Sequence, residues 1–434
     1  MEFHAVICCG KGGGLSPLSM TRETGIPKAL LPIGNKPMIE YVLEWCDKAP
    51  FGTVSVVGDS ESNVEITSVV EAYKTKRPKN IHSHINIVKF DGDATGGILS
   101  EFIEKANHSN LIFLPCDFVT DLPPQVLIEE FRNRNDEDIA MSVHYHNKFE
   151  SIDKKNLTNY YTVYSDDDHL LDIYAKDSVE ASKFLEIRTQ MIWRYPNSNV
   201  STKLLDSFIY FFSTEAINAV QEETEDYKTK SLTKILRDLA RRSWRHSKPK
   251  GTVSLLNLPS QCTFVRADNL PAYMEANRYI MRLKAKAQQQ PPQAKEKGAA
   301  TIGADSVVGE NTTLGERTSV KKTVVGKHAK IGKRVRLTGS VILDGVQLED
   351  DVVLENCIVG KGAIIHAKSK LVNCNIEGSY SVSKGSNIKG ETLTNLFIEG
   401  QEESSSESES DSEDYDSYED DFEDDFEDDG LFER

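Results

Sequence analysis

A six-residue spacing of aliphatic side chains near the end of this sequence limits its fold more tightly than any other feature. Ile302, Val308, Leu314 and Val320 stand six apart. After a five-residue step, Val325, Ile331, Leu337 and Leu343 are again six apart, and Val352, Ile358 and Ile364, then Ile376, Val382 and Ile388, continue the spacing. Glycine often follows the aliphatic residue, as in Ile302-Gly303 and Ile331-Gly332. Six matches neither the helical period of about 3.6 nor the strand period of 2. It is the period of a β-helix, in which each aliphatic side chain stacks on its equivalent in the next coil. Residues 300–395 are therefore expected to form a left-handed parallel β-helix of hexapeptide repeats. An irregular β-sandwich is the competing architecture.

The sequence before the repeats has a different grammar. Short apolar runs at Ala5–Cys8, Val54–Val57, Ile85–Val88, Leu111–Leu114 and Ile139–Val143 read as strands, and Met38–Cys46 and Gln125–Arg132 read as helices. Strands alternating with helices predict an α/β, Rossmann-like domain over residues 1–283, with a mostly parallel sheet covered on both faces. Ligands on such sheets sit at the carboxyl ends of the strands. Between the two units, residues 284–299 carry Gln288-Gln289-Gln290-Pro291-Pro292 and several lysines, the composition of a linker.

Charge is distributed just as unevenly. The net charge of −17 lies wholly in residues 401–434, where 18 of the 68 acidic residues and one of the 51 basic ones fall. The remainder is formally neutral, so nothing in it favours nucleic acid as a partner. The acidic segment cannot bury enough apolar surface to offset its ordering entropy, which predicts a disordered tail. Tyr415, Tyr418, Phe422, Phe426, Leu431 and Phe432 are interspersed in it, so it reads either as a solvating tail or as an acidic-aromatic segment that docks on a basic surface. Its serines, set among acidic residues, are candidates for phosphorylation.

The seven cysteines are odd in number and include no C-x-x-C pair, which argues against zinc and against a disulfide framework. Met1-Glu2-Phe3-His4 lacks the basic and apolar regions of a signal peptide, and no apolar run approaches the ~20 residues that span a bilayer. A cytosolic protein with no membrane contact is expected.

The motif with chemical content follows the first strand, at Cys9-Gly10-Lys11-Gly12-Gly13-Gly14-Leu15. A glycine-rich turn after a strand cradles phosphate, because residues without Cβ let backbone N–H groups approach an anion. Gly10, Gly12 and Gly13 are the cradle candidates, and Lys28 of Pro27-Lys28-Ala29-Leu30-Leu31-Pro32 could reach the same phosphates. Asp117, after the strand Leu111–Leu114, could hold Mg²⁺, or could simply cap a turn. Thr95 and Gly96 of Thr95-Gly96-Gly97 could meet a base or ribose.

Taken in order, these features resemble the nucleoside-diphosphate-sugar pyrophosphorylase family, whose nucleotidyltransferase domain is often followed by a hexapeptide-repeat domain. Within it the chain resembles the gamma subunits of eukaryotic translation initiation factor 2B. The resemblance is carried by Pro27–Trp45, Leu114–Gln125, Val200–Phe212, Arg241–Pro249 and Arg266–Arg278, and the ending Asp428-Asp429-Gly430-Leu431-Phe432-Glu433-Arg434 looks like that of fungal members. It implies a subunit of a heterodecameric guanine nucleotide exchange complex that acts on initiation factor 2. Its partners would be the epsilon, beta, delta and alpha subunits, epsilon carrying the exchange domain.

Active pyrophosphorylases place an arginine just before the leucine of the glycine loop. This chain has Gly14 there. Losing such a charge-stabilising donor costs about 2.7–4 kcal/mol in the transition state. The resemblance therefore implies a degenerate nucleotidyltransferase with no catalytic residue and no required cofactor, whose vestigial pocket could still hold GTP or another nucleotide. A working sugar-1-phosphate nucleotidyltransferase, of the GDP-mannose or ADP-glucose pyrophosphorylase type, is the alternative. An acyltransferase would need His328 or His366 between coils. Trp244, with Arg241, Arg242 and Arg245, is a candidate subunit contact, because Trp and Arg dominate interface hot spots.

Overall fold

A computed structural model describes residues 2–395 apart from 79–80, 82, 93, 104–109, 153–156, 158–159, 224, 247, 249 and 288–298. Most of the expected linker and the whole acidic tail lie outside the described residues.

All five expected strands are present, as β1 (Phe3–Cys8), β2 (Thr53–Gly58), β3 (His84–Lys89), β4 (Asn110–Pro115) and β5 (Asp138–His146). Two more, β6 (Leu204–Phe212) and β7 (Thr252–Asn257), complete a seven-stranded sheet in the order β7-β5-β6-β4-β1-β2-β3. β1 lies between β2 and β4 and is parallel to both, whereas β6 runs antiparallel to β4 and β5. A strand buried on both faces needs an almost unbroken apolar run, and Phe-His-Ala-Val-Ile-Cys supplies one. Alternation sends Ala5 and Ile7 to one face, against Ile39, Val42, Leu43 and Cys46 of helix α1 (Met38–Cys46). Val6 and Cys8 face the other side, against Leu236 and Leu239 of a later helix. That helix belongs to the series α2 (Thr189–Arg194), α3 (Leu232–Arg245) and α4 (Leu270–Ala287). Ser231 caps α3 by accepting from the Lys234 N–H, and Leu232, Ile235, Leu236, Leu239 and Ala240 form its buried stripe.

The repeat region is a three-sided prism. Ser319, Arg336, Val353, Lys370 and Asn387 stack in parallel register, so one coil is 17 residues long. A 17-residue coil contains two six-residue sides and one five-residue side. That single short side corrects the sequence reading at several places. Inward stacks run Val320, Leu337, Leu354, Leu371 and Val325, Ile342, Val359, Ile376. Leu343 and Ile358, expected inside, instead point out of the prism, and Ile364 is only partly buried, its neighbour Ile365 taking the inner position. The strict period of six slips by one residue at each short side, which exchanges the inner and outer positions.

The slip builds the contact with the first unit. Outward-facing Val324, Val341 and Ile358 share one core with Leu15, Leu31, Ile33, Tyr273 and Ile280. The Asn35 amide donates to Val325 O at 2.7 Å, and Arg22 pairs with the buried Glu377 at 3.4 Å. One face of the prism is thus covered by the chain's own body. The outward positions of the other two faces are largely polar, among them Arg336, Lys370, Lys330 and Gln347.

Candidate functional site

The glycine loop leaves the carboxyl end of β1 as expected. Gly12 adopts φ +82°, and a Cβ there would stand 2.9 Å from the Lys28 Cβ. The loop therefore closes on the lysine's aliphatic stem. Gly10 has nothing within 4 Å of a Cβ position, and Gly13 opens the short turn that buries Leu15. Gly14 is a different case, since a Cβ there would meet the Asp268 carbonyl oxygen at 2.4 Å. No side chain fits while that backbone stays in place, least of all an arginine.

Lys28 does not point at an open cradle. Its Nζ lies 2.7 Å from Oδ2 of Asp117, which is fully buried. Arg266 binds the same carboxylate from the other side, Nε to Oδ1 and Nη2 to Oδ2, both at 3.3 Å. Burial alone would raise the Asp117 carboxyl, but Arg266 and Lys28 outweigh it and hold that group well below the usual carboxylate range. Asp268 sits in the same cluster and shifts the other way. Burial pushes its carboxyl up, and the Asp117 charge adds to the rise. Burial favours the uncharged form of Lys28, yet the Asp117 carboxylate keeps its pKa above the ordinary lysine value.

A divalent cation does not fit this donor set. Both Asp117 oxygens already accept from cations, and no group of three or more metal-binding side chains occurs among the described residues. The cleft beside the loop, lined by Gly10, Lys11, Lys28 and Asp59, has no interior room for a water molecule. Small-molecule sites typically offer roughly 300–1,000 Å³.

Thr95 and Gly96 are committed elsewhere. The Thr95 hydroxyl accepts from the Leu232 N–H at 2.8 Å, the Gly96 N–H donates to Lys230 O at 2.8 Å, and a Cβ on Gly96 would meet Tyr227 O at 2.2 Å. This turn seats the start of α3. The expected surface anchor on α3 also needs correction. Trp244 is buried with Val163, Leu171 and Met191, its indole N–H donating to Leu171 O at 2.8 Å, and Arg241 pairs with buried Asp172 at 3.0 Å. Both hold α3 inside the body, and only Arg245 of the trio is exposed. His328 lies at a prism corner with φ +55°, exposed. His366 bridges Glu349 at 3.0 Å and Ser381 at 3.3 Å on the outer surface, away from His328.

Sequence reasoning missed Arg266 and Asp268. The only signal was a charged Arg-Ala-Asp closing the apolar strand that begins Phe264-Val265. A bulge in β6 completes the site, turning Phe208 to φ +58° and bringing its ring 5.7 Å from the Arg266 guanidinium.

Comparison with known proteins agrees with this architecture. Residues 12–241 match the family profile described as the MobA-like NTP transferase domain. Residues 290–392 match the profile described as the EIF2B subunit epsilon LbH domain. The chain is 31% identical over 425 residues to translation initiation factor eIF2B subunit gamma of Schizosaccharomyces pombe, an alignment covering 91% of this chain and 90% of that one. It is 26% identical over 243 residues to eIF2B subunit gamma of Dictyostelium discoideum, covering 52% and 53% of the two chains.

Proposed function

The chain belongs to the family of eIF2B gamma subunits, and we propose that it is a non-catalytic member of the exchange complex whose nucleotidyltransferase site has been converted into structural packing. In this reading it pairs with the epsilon subunit in a heterodecamer with the alpha, beta and delta subunits, in the cytosol. The assembly engages initiation factor 2 and promotes exchange of GDP for GTP.

The observation that carries the reading is the filling of the cradle from within. Nucleotidyl transfer requires cations aimed at a developing phosphate charge. Here Lys28 and Arg266 are both bound to Asp117, and the Asp268 carbonyl occupies the space of a side chain at position 14. A nucleotide could enter only by drawing both cations away from a buried carboxylate. Breaking a buried pair typically costs about 3–5 kcal/mol. No nucleotide cofactor is required on this view, and none binds tightly.

The prism favours subunit contact over small-ligand capture. Its two free faces are flat and rigid, and stable interfaces bury about 1,200–2,000 Å². Because those faces are polar, the contact they make should be salt-sensitive.

Two assays on the purified chain test the proposal. Pyrophosphate release with Mg²⁺, each NTP and sugar 1-phosphates should stay at background. Affinity capture from its own cells followed by mass spectrometry should return the other four initiation factor 2B subunits in stoichiometric yield. Turnover at ordinary enzymatic rates, or a chain captured alone, overturns it.

A further inference from the structure

Eight large apolar side chains are exposed among the described residues, and four of them cluster in one short stretch: Phe184 at 65%, Ile192 at 43%, Trp193 at 80% and Val200 at 44%. Their exposure follows from how α2 is held. Met191 is buried against Trp244, and the Arg194 guanidinium donates to Ser243 O at 2.9 Å and His246 O at 3.0 Å. α2 is thereby fastened to the last turn of α3 by one side, which leaves Ile192 and Trp193 facing outward. Positive charge predominates in the two segments that form this surface, while Asp166, which accepts from the Asn199 side chain, borders it near Val200. Residues 183–203 and 241–250 contain nine lysines and arginines and a single carboxylate, Glu186. Lys183, Arg245 and Lys248 are exposed.

An exposed indole set in positive charge calls for an acidic partner carrying aromatic side chains. The same chain contains one. Residues 401–434 hold 18 acidic residues and one basic one, with Tyr415, Tyr418, Phe422, Phe426 and Phe432 spaced among them. The described chain ends at Asn395, on the last coil against the body, where the Arg22 guanidinium donates to its carbonyl. Residues 396–434 can extend on the order of 100 Å, whereas the body is on the order of 50 Å across. Reach does not limit the contact.

We propose that the acidic-aromatic tail, residues 401–434, docks in cis on the Trp193 surface formed by α2 and the end of α3. Phenylalanine and tyrosine rings stack on Trp193 and Phe184, while the flanking carboxylates face Lys183, Arg245 and Lys248. The docked tail covers this surface when no other acidic segment competes for it. The inference is independent of the closed cradle.

Tryptophan fluorescence isolates the event, because of the three tryptophans Trp45 and Trp244 are each 4% exposed and only Trp193 is open. Acrylamide quenching is compared between the full chain and a chain ending at Gly400. Removing the tail should roughly double the quenching constant, since stacking shields one face of the indole. About 0.5 M NaCl, where the Debye length is roughly 4 Å, should have the same effect on the full chain. So should Lys183→Glu, Arg245→Glu and Lys248→Glu combined, and Trp193→Phe should abolish the difference. Equal quenching with and without the tail overturns the proposal. So does a tail effect that survives the charge reversals, or one that fades on dilution, which would assign the tail to a second copy.

Discussion

The prism and the cradle hold their structures by opposite means. In the prism each environment recurs every 17 residues, so Leu337, Leu354 and Leu371 occupy one environment three times. In the cradle every contact occurs once. Asp117 meets Arg266 across 149 residues, and Gly14 meets the Asp268 backbone across an even longer stretch of chain. Repetition divides stability into many small and nearly equal contributions. A single charge cluster concentrates it, and makes its parts depend on one another.

The largest effect should come from the cradle. Asp117→Ala leaves Lys28 and Arg266 facing each other in a mostly buried site with only Asp268 near. The expected loss is about 3–5 kcal/mol, read as a lower urea midpoint at unchanged slope. Combining Lys28→Met, Asp117→Leu and Arg266→Met should recover most of that loss, because no uncompensated charge remains. A cost of Asp117→Ala below about 1 kcal/mol would remove the cluster as the element that closes the cradle.

Leu354→Ala comes next. It deletes a fully buried side chain from the central stack, at an expected cost of about 3 kcal/mol. Leu337→Ala should match it to within about 1 kcal/mol, because the coil above and the coil below are alike. Unequal costs would show that the coils are not interchangeable.

The same contrast explains how much could be read from the sequence. The prism was legible because its cause is local and repeated, and even its error was local. Five-residue sides misplaced Leu343 and Ile358 by one position, yet both remain buried, packed on the body instead of inside the coil. Strands β1, β2, β4 and β5 were legible because strands covered on both faces demand apolar runs. β6 was not, because its antiparallel course and the bulge at Phe208 leave no periodic signature. In the cradle, Gly10, Gly12, Lys28 and Asp117 were identifiable by residue type, but their use was not. A lysine and an aspartate of the kind that could serve a nucleotide here pair with each other, and the same carboxylate is also bound by Arg266. Nothing near Asp117 in the sequence announces it. Trp244 shows the same limit, since its residue type marked it as a contact residue without saying that Val163, Leu171 and Met191 would cover it.

Acid should separate the two regions. His4, on the central strand, lies 2.8 Å from the Ser55 hydroxyl, and burial lowers its pKa from 6.5 to about 4. The unfolded chain therefore binds a proton between those values that the folded body refuses. This contribution is complete above pH 6.5 and is lost as pH falls toward 4. It should be worth on the order of 1–2 kcal/mol after allowing for the partly exposed ring. Between pH 6.5 and 4.5, hydrogen-exchange protection factors in β1 and β2 should fall before those in the prism, and His4→Gln should reduce the difference. Simultaneous loss of protection would mean that the two units unfold as one.

The finest test compares positions within a single corner of the prism. Asn311, His328, Gly345, Gly362 and Ser379 recur at that corner, all with positive φ between 55° and 71°. A Cβ at Gly345 would approach only the Gly362 backbone, at 3.9 Å, so packing does not object to alanine there. Gly345→Ala should therefore cost only the left-handed penalty, about 1 kcal/mol. Ser379→Gly should run the other way with a smaller gain of roughly 0.5 kcal/mol, because glycine's freedom in the unfolded chain offsets part of the relief. Both changes are measurable as shifts in the urea midpoint. If Gly345→Ala costs several times more than this, that corner is not held by backbone conformation alone, and the prism would share the cradle's dependence on contacts made only once.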